Sequence, residues 1–289
     1  MHLILVFFIC LLLPGCNSQS SDRKDPDNPF NSHDRYISML SYCESDQGIY
    51  YIEWESELCR LYFIDKKSSK KTVLCQKVNC RHDSAECPAV EVSPDLMGSV
   101  AYCDGFIYYI VQAFDSGEQN DVLKLYSMKE DGTEKKELHT FQYGRVYPNA
   151  AAFYKDRIIL SVQTLNDFED GSGSYTAEPS IILYDLKTGK ETLILNGTEN
   201  SGLYTVPAGA DEDHLYLLQQ PFNDSDIDGR CTYLQYDLKE QQYLFDEYSD
   251  YTTLEVMGKT EKGFLVWKED ELYFYTPDDH HWEKIEEIS

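Results

Sequence analysis

The chain has 289 residues, of which 51 are acidic and 25 are basic, so its formal net charge is −26. Every charged residue lies at or after Asp22, so this charge belongs to the body of the protein. A surface this negative repels phosphate groups, which makes nucleic acid and anionic lipid headgroups poor partners. Cations, cationic peptides and neutral ligands such as glycans remain as candidate partners. The 23 tyrosines are explained mainly by their preference for β-strands.

The first residues resemble the signal of a bacterial lipoprotein. The apolar run LILVFFICLLL covers 3–13 and is too short to cross a bilayer, so it fits the core of a signal peptide. Pro14, Gly15 and Cys16 follow it, and then the polar stretch NSQSSDRKDPDNPFNSHD. The resemblance implies removal of 1–15, acyl chains such as palmitate on Cys16, and a location on the extracytoplasmic face of the cell membrane. The alternative is an ordinary signal peptide, with Cys16 as a disulfide partner.

The segment 16–35 is rich in Ser, Asp, Asn and Pro and has almost no large apolar residue, which predicts a disordered tether. No similar stretch of comparable length recurs after it. The remainder, 36–289, is therefore predicted to be one domain, and its length of about 250 residues is common for a single all-β domain.

A strand-like apolar motif recurs in this domain at intervals of about 50 residues. Each copy follows residues that tolerate a tight turn, such as Asp104-Gly105. A tyrosine-centred motif, a polar turn and a third apolar patch come after each copy, and a weaker strand, 36–42 in the first unit, precedes it. The apolar motif is found at 49–52, 107–110, 158–160, 215–218 and 264–267, and the tyrosines are Tyr62, Tyr126, Tyr184, Tyr236 and Tyr273.

Short strands without any amphipathic helix pattern predict an all-β fold, a β-propeller of about five four-stranded blades. A single four-stranded sheet cannot bury both of its faces, whereas blades packed face to face around an axis can. The recurring tyrosines are predicted to lie between blades, with their hydroxyls at a polar rim. A two-sheet sandwich is the rival fold, but it does not predict a repeat of near-constant spacing.

The segment CQKVNCRHDSAEC, predicted to connect the first and second units, concentrates potential metal ligands. Cys75, Cys80, His82 and Cys87 have side chains that zinc accepts, but their spacing is not a common zinc pattern. Because exported cysteines usually form disulfides, a bridge from Cys80 to Cys75 or Cys87 is favoured over a metal.

Nine cysteines occur in the chain, and an odd number, seven, remains when Cys10 in the signal and the lipid carrier Cys16 are set aside. At least one of the seven is therefore unpaired within the chain. Cys43 and Cys103 precede the first-motif turn in adjacent units, so a close approach between them is expected.

The run LCQKVNCRHDSAECPA, behind a Tyr-rich first unit in a lipoprotein-like chain, resembles the uncharacterised propeller lipoproteins of gut-type Firmicutes. That family is similar to the TolB-like and low-density-receptor-like propellers and includes domains of unknown function. The resemblance implies the propeller fold and an envelope location, and it implies no particular reaction.

Acidic residues in long polar loops are candidates for a carboxylate site at the channel mouth of a propeller hydrolase. They are Asp115, Asp167, Asp170, Asp224, Asp226 and Asp228. The last three, in NDSDIDG, are similar to the start of a calcium loop, but the downstream glutamate is missing, so a solvated loop is favoured. The pair His280-His281 is interpreted as part of a solvated turn rather than a metal site.

No sequence motif of a catalytic centre or of a phosphate-binding loop occurs, so no catalytic residue is assigned. The favoured function is a membrane-anchored, extracytoplasmic propeller that binds a ligand or partner, such as a glycan, a peptide or an envelope protein. The alternative is a carbohydrate-active hydrolase with carboxylates at the channel mouth. A structural adaptor that uses blade edges for protein contacts is the third hypothesis.

Overall fold

The computed structural model describes residues 36–92, 94, 96–115, 120–141, 146–167, 175–195, 203–221, 231–249, 254–260, 262–268, 271–276 and 281–285. The regular elements in these ranges are all β-strands, and they form five antiparallel sheets that follow one another along the chain. In the same ranges, no helix is long and apolar enough to cross a membrane.

The strands are numbered in chain order. A short strand β1 (Ile37–Met39) precedes sheet 1, which consists of β2 (Tyr42–Glu44), β3 (Gly48–Glu55), β4 (Leu58–Asp65), β5 (Lys71–Val73) and β6 (Val90–Val92). Sheet 2 consists of β7 (Leu96–Cys103), β8 (Phe106–Asp115), β9 (Asn120–Lys129) and β10 (Lys136–Phe141). Sheet 3 consists of β11 (Val146–Tyr154), β12 (Arg157–Asp167), β13 (Tyr175–Asp185) and β14 (Glu191–Leu195). Sheet 4 consists of β15 (Leu203–Ala210), β16 (His214–Pro221), β17 (Cys231–Asp237) and β18 (Gln242–Ser249). Sheet 5 consists of β19 (Leu254–Thr260), β20 (Gly263–Lys268), β21 (Glu271–Thr276) and β22 (His281–Lys284).

The repeat predicted from the sequence coincides with this order of strands. The apolar motif lies on the second strand of every sheet, and the recurring tyrosine lies on the third. Within each sheet, consecutive strands pair with one another, except that β6 pairs with β4 rather than with β5. The predicted all-β fold is confirmed in the described residues, where sheets 2 to 5 have the expected four consecutive strands and sheet 1 has a fifth, β6.

The first strands of sheets 2 to 5 share one irregularity. Their pairing with the second strand is interrupted by a β-bulge, which strengthens the local twist. The register shifts between Gly98 and Val100, Pro148 and Ala150, Pro207 and Gly209, and Val256 and Gly258. Neighbouring first strands lie beside one another, as the innermost strands of propeller blades do.

Four apolar clusters hold successive sheets face to face. Between sheets 1 and 2, the rings of Tyr50 and Tyr102 stack with centroids 5.6 Å apart. Between sheets 4 and 5, Tyr216 meets Phe264 edge-on at 4.9 Å. Sheets 2 and 3, and sheets 3 and 4, are joined by comparable clusters. Each sheet is thus stabilised mainly by burial of its faces against its neighbours.

Three of the third-strand tyrosines lie between sheets, as predicted. Tyr126 packs against the cluster between sheets 1 and 2, Tyr184 belongs to the cluster between sheets 2 and 3, and Tyr236 belongs to the cluster between sheets 3 and 4. Tyr62 differs, because it lies on the face of sheet 1 that points away from sheet 2. Its hydroxyl donates a hydrogen bond of 2.7 Å to the carboxylate of Glu55 at the rim of the sheet.

The prediction for the segment 36–42 was wrong in one respect. Only Tyr42 of this segment belongs to a strand of sheet 1, whereas β1 pairs with β11 of sheet 3, with Ile37 opposite Phe153 and Met39 opposite Ala151. The physical reason is burial, because Met39 lies in the apolar cluster between sheets 2 and 3 and is only 4% exposed.

The residues that flank β1 extend its contacts to two further sheets. Leu40 forms an isolated bridge with Val100 on the first strand of sheet 2. The Tyr36 hydroxyl donates a 2.9 Å hydrogen bond to the carbonyl of Pro207 on the first strand of sheet 4. The segment 36–40 therefore runs along the innermost strands of sheets 4, 3 and 2 before the chain enters sheet 1.

Candidate functional sites: a cysteine–histidine cluster and a tyrosine face

The cysteine–histidine segment lies inside sheet 1, not between the first and second units as predicted. Strand β4 is longer than β5, so β5 pairs with only one half of it, where Tyr62 faces Val73. The other half pairs with β6, where Arg60 faces Val90. The residues between β5 and β6, 74–89, form an insert that leaves the sheet and returns to the same strand.

The insert brings together the four side chains that the sequence singled out. One ligand atom each from Cys75, Cys80, His82 and Cys87 lies within 4.8 Å of all the others. His82 Nδ1 and Cys87 Sγ are in contact at 3.3 Å. All three thiols are free in the structure, so the predicted bridge from Cys80 to Cys75 or Cys87 is not formed.

Two tight turns place these ligands. The N–H of Cys80 donates to the carbonyl of Lys77 at 3.2 Å, and the N–H of Cys87 donates to the carbonyl of Ser84 at 3.0 Å. His82 itself has a positive φ of 56°. This left-handed conformation turns the chain back between the second and third cysteines, and His is among the residues that tolerate it.

Contacts with sheet 1 hold the cluster in place. Arg60 on β4 donates from Nε to the carbonyl of His82 at 2.8 Å. Cys87 is 1% exposed and belongs to the apolar cluster between sheets 1 and 2, against which Cys75 and Cys80 pack. Arg60 has no metal-ligand chemistry of its own, so the sequence pattern did not reveal its role.

The thiols differ in acidity because their surroundings differ. A hydrogen bond from the backbone N–H of His82 lowers the pKa of Cys80. Burial raises the pKa of Cys87 to about 12. The cluster thus combines one thiol that ionises easily with one that stays protonated unless a cation stabilises its thiolate.

Gly132, in the turn between β9 and β10, allows this turn of sheet 2 to lie close to the backbone of the insert. It has a positive φ of 81°, and a Cβ at this position would lie 2.3 Å from the carbonyl oxygen of Leu74. Sequence analysis missed this contact, although the Asp131-Gly132 pair within a polar turn indicated a tight backbone there.

A row of tyrosines crosses the face of sheet 1 that points away from sheet 2. Strand pairing sets Tyr42 opposite Tyr51, and Tyr51 opposite Tyr62. The Tyr51 and Tyr62 rings stack with centroids 5.5 Å apart, and Lys71 Nζ lies 4.0 Å from the centroid of Tyr62. An ion pair with Glu53 fixes this lysine. We call these five side chains the tyrosine face.

Sheet 2 carries the same arrangement in a buried setting. Tyr109 and Tyr126 stack at 5.4 Å, and Lys135 Nζ lies 4.9 Å from the centroid of Tyr126. Tyr109 is 0% exposed, because sheet 1 covers it. On the tyrosine face, Tyr42 is 49% exposed and Tyr51 is partly exposed, whereas Tyr62 is 8% exposed.

The other predicted residues are not assembled into a described site. Asp115 and Asp167 end strands β8 and β12, but their side chains lie outside the described residues. His281 begins β22 and is exposed. Cys10, Cys16, Asp170, Asp224, Asp226, Asp228 and His280 lie outside the described residues.

The expected approach of Cys43 and Cys103 is contradicted by the packing. Cys43 lies in the cluster between sheets 1 and 2, whereas Cys103 lies in the cluster between sheets 2 and 3. Equivalent positions in adjacent units therefore do not bring them to the same interface.

No protein-family model matches the chain, and no curated protein matches it. Solved structures do resemble it. The structure of a prolyl endopeptidase matches with a TM-score of 0.52 and 14% identity, over 86% of this chain and 36% of that protein. An acylaminoacyl peptidase of Pyrococcus horikoshii matches with a TM-score of 0.50 and 13% identity, over 88% of this chain and 39% of that one.

The tricorn protease is similar over 86% of this chain and 26% of its own length, with a TM-score of 0.48 and 12% identity. The chain therefore spans well under half the length of these proteins. Prolyl endopeptidase and acylaminoacyl peptidase contain β-propellers, and at this level of identity the likeness concerns the fold alone. The chain has a β-propeller fold.

Proposed function

We propose that the protein is a non-catalytic propeller module that binds a protein partner through the tyrosine face, while acyl chains on Cys16 hold it at the membrane. The observation that carries the proposal is the exposure of Tyr42, at 49%, on a face whose counterpart in sheet 2 is buried.

The chemistry of the tyrosine face fits the surface of a protein. Its counterpart on sheet 2 has the same pair of stacked tyrosines and the same lysine, and a neighbouring β-sheet covers it. Side chains that are rigid and amphipathic, tyrosine above all, are enriched at protein interfaces. A row of rings across a β-sheet fits the flat surface of another sheet.

The charges on the tyrosine face support the same partner class. Lys71 pairs with Glu53, and Arg60 nearby pairs with Glu55, so local charges of opposite sign compensate one another. The whole chain, in contrast, carries a net charge of −26. A locally balanced area on an acidic molecule is the part that a second protein approaches with least repulsion.

A carbohydrate hydrolase with carboxylates at the channel mouth is the alternative from the sequence. The side chains of its candidate carboxylates lie outside the described residues. The segment 36–40 lies along the innermost strands of three sheets, where a substrate channel would run. We therefore prefer the binding module.

Photo-cross-linking in intact cells tests the proposal. A photoreactive amino acid replaces Tyr42, and in a matched control it replaces Leu193, which is 47% exposed on sheet 3. We expect a discrete protein adduct from position 42, identified by mass spectrometry, and none from position 193. Equal labelling at both positions, or an adduct with a glycan at position 42, would contradict the proposal.

A second experiment tests the lipid anchor. In the same cells, Cys16→Ser is expected to release the chain from the membrane fraction, and retention there would contradict the anchor.

A further inference from the structure

The cysteine–histidine cluster has the composition of a tetrahedral metal site. Three sulfurs and one imidazole nitrogen lie within 4.8 Å of one another. Around zinc, with Zn–S of about 2.3 Å and Zn–N of about 2.0 Å, tetrahedral ligands are separated by about 3.5 Å for S···N and about 3.8 Å for S···S. The contact of 3.3 Å between His82 Nδ1 and Cys87 Sγ is close to this S···N separation. Movements of about 1 Å would bring the remaining ligands to these separations.

A disulfide would involve only two of the four side chains in the cluster. It joins two sulfurs at about 2.05 Å and leaves the third thiol and the imidazole without a partner of comparable strength. The structure instead has the three thiols free and gathered on the imidazole. Soft thiolate ligands with one imidazole select zinc over the hard cations calcium and magnesium.

The position of the cluster explains what a bound ion would do. The insert 74–89 contains no strand, and its link to β4 at the far end is the hydrogen bond from Leu61 N–H to the carbonyl of Ala89. A cross-link among its four ligands would fix the insert between β5 and β6, where it also contacts Gly132 of sheet 2. Arg60 would support the site by holding the carbonyl of His82.

We infer that Cys75, Cys80, His82 and Cys87 bind one structural zinc ion that fixes the insert to sheets 1 and 2. Because all four ligands come from the protein, the site is closed and has no position for a substrate. Binding releases the protons of the coordinating thiols to solvent. The site is separate from the tyrosine face, so either proposal can fail without the other.

Metal analysis of the full-length chain, purified with zinc under reducing conditions, tests the inference. We expect about one zinc per chain in the wild type and at least a tenfold lower content in Cys80→Ser and in His82→Ala. Cys103→Ser, which alters a buried cysteine outside the cluster, is the matched control and should keep the metal. Cobalt in place of zinc should give a thiolate-to-metal charge-transfer band that Cys80→Ser lacks.

A second measurement uses the unaltered chain, so it does not depend on the folding of a variant. With zinc present, Cys75, Cys80 and Cys87 should resist alkylation, and a chelator should make them reactive, as peptide mapping would record. A wild-type chain that holds no zinc and is lighter by two hydrogens through a bridge within the cluster would overturn the inference. Stoichiometric iron or copper in place of zinc would overturn it as well.

Discussion

Gly132 is a glycine for two separate reasons, and a matched residue allows them to be distinguished. It has a positive φ of 81°, and a Cβ there would meet the Leu74 carbonyl oxygen at 2.3 Å. Gly189, in the equivalent turn of sheet 3, has a φ of 68°, but its nearest neighbour to a Cβ is the Tyr184 hydroxyl at 3.8 Å. Of these two glycines, Gly132 is the one that combines a positive φ with a close approach.

We expect Gly189→Ala to lower the free energy of unfolding by about 1 kcal/mol, the cost of a left-handed residue with a side chain. Gly132→Ala should lower it by about 1–3 kcal/mol more, because the insert must move away from the turn. Urea denaturation of both variants measures the difference. Equal losses would show that the contact with Leu74 does not constrain the insert.

At the scale of residues, the sequence predicted the members of the cysteine–histidine cluster but not its state. Residue types and proximity along the chain were sufficient to group Cys75, Cys80, His82 and Cys87. The convergence of all four depends on the left-handed turn at His82 and on the hydrogen bond from Arg60, which lies on another strand. Spacing in the sequence does not encode contacts of that kind, so the favoured disulfide was not found in the structure.

At the scale of elements, one turn recurs between the third and fourth strands of sheets 1, 3 and 4. An aspartate at its start accepts backbone N–H groups from residues two or three positions later. The Ser68 hydroxyl and N–H lower the pKa of Asp65, and the Glu240 N–H lowers that of Asp237. Burial raises the pKa of Asp185, but its hydrogen bonds outweigh burial and the net pKa is lowered.

These lowered pKa values predict how stability depends on pH. A carboxyl whose pKa is lower in the folded state stabilises the fold fully above its unfolded value of about 3.9, and this stabilisation is lost as pH falls through the folded value. The triple variant Asp65→Asn, Asp185→Asn, Asp237→Asn should therefore lose less stability than the wild type between about pH 4.5 and 2.5. Urea midpoints across this range measure the slope.

A second triple variant, Glu57→Gln, Glu212→Gln, Glu240→Gln, changes the net charge by the same amount. These glutamates are exposed, and they are not the carboxylates that accept the N–H groups of these turns. Its stability should fall with decreasing pH as that of the wild type does, apart from the general effect of the smaller net negative charge. If both triple variants flatten the curve to the same extent, net charge rather than the turn carboxylates governs acid stability.

The hairpins were predictable from sequence because each is local: an apolar motif, a turn and a tyrosine strand lie within about 20 residues of one another. The partner of β1 and the presence of β6 were not predictable. Each of these strands has three residues, too few for a period of two to be recognised. Their partners are chosen by burial and by unpaired strand edges, as with Met39 in the cluster between sheets 2 and 3.

At the scale of the whole molecule, the repeat explains both the interior and the tyrosine face. Every sheet derives from one pattern, so each repeats a face suited to a neighbouring sheet. On sheet 2 that face buries Tyr109, and on sheet 1 it leaves Tyr42 exposed. The pattern could be read from the sequence, but the exposure of one copy depends on how the sheets are placed in space.

The segment 36–40 links sheets that are far from it along the chain, and one hydroxyl tests how much this link contributes. Tyr36→Phe removes the 2.9 Å hydrogen bond to the Pro207 carbonyl on β15 and leaves the ring in place. The expected loss is about 0.5–1.5 kcal/mol of unfolding free energy, with faster amide exchange in β15. Tyr51→Phe is the control, because its hydroxyl makes a 3.2 Å bond to Glu53 on the same strand, near the surface. A loss in Tyr36→Phe no larger than in the control, with unchanged exchange in β15, would show that the segment does not hold sheet 4.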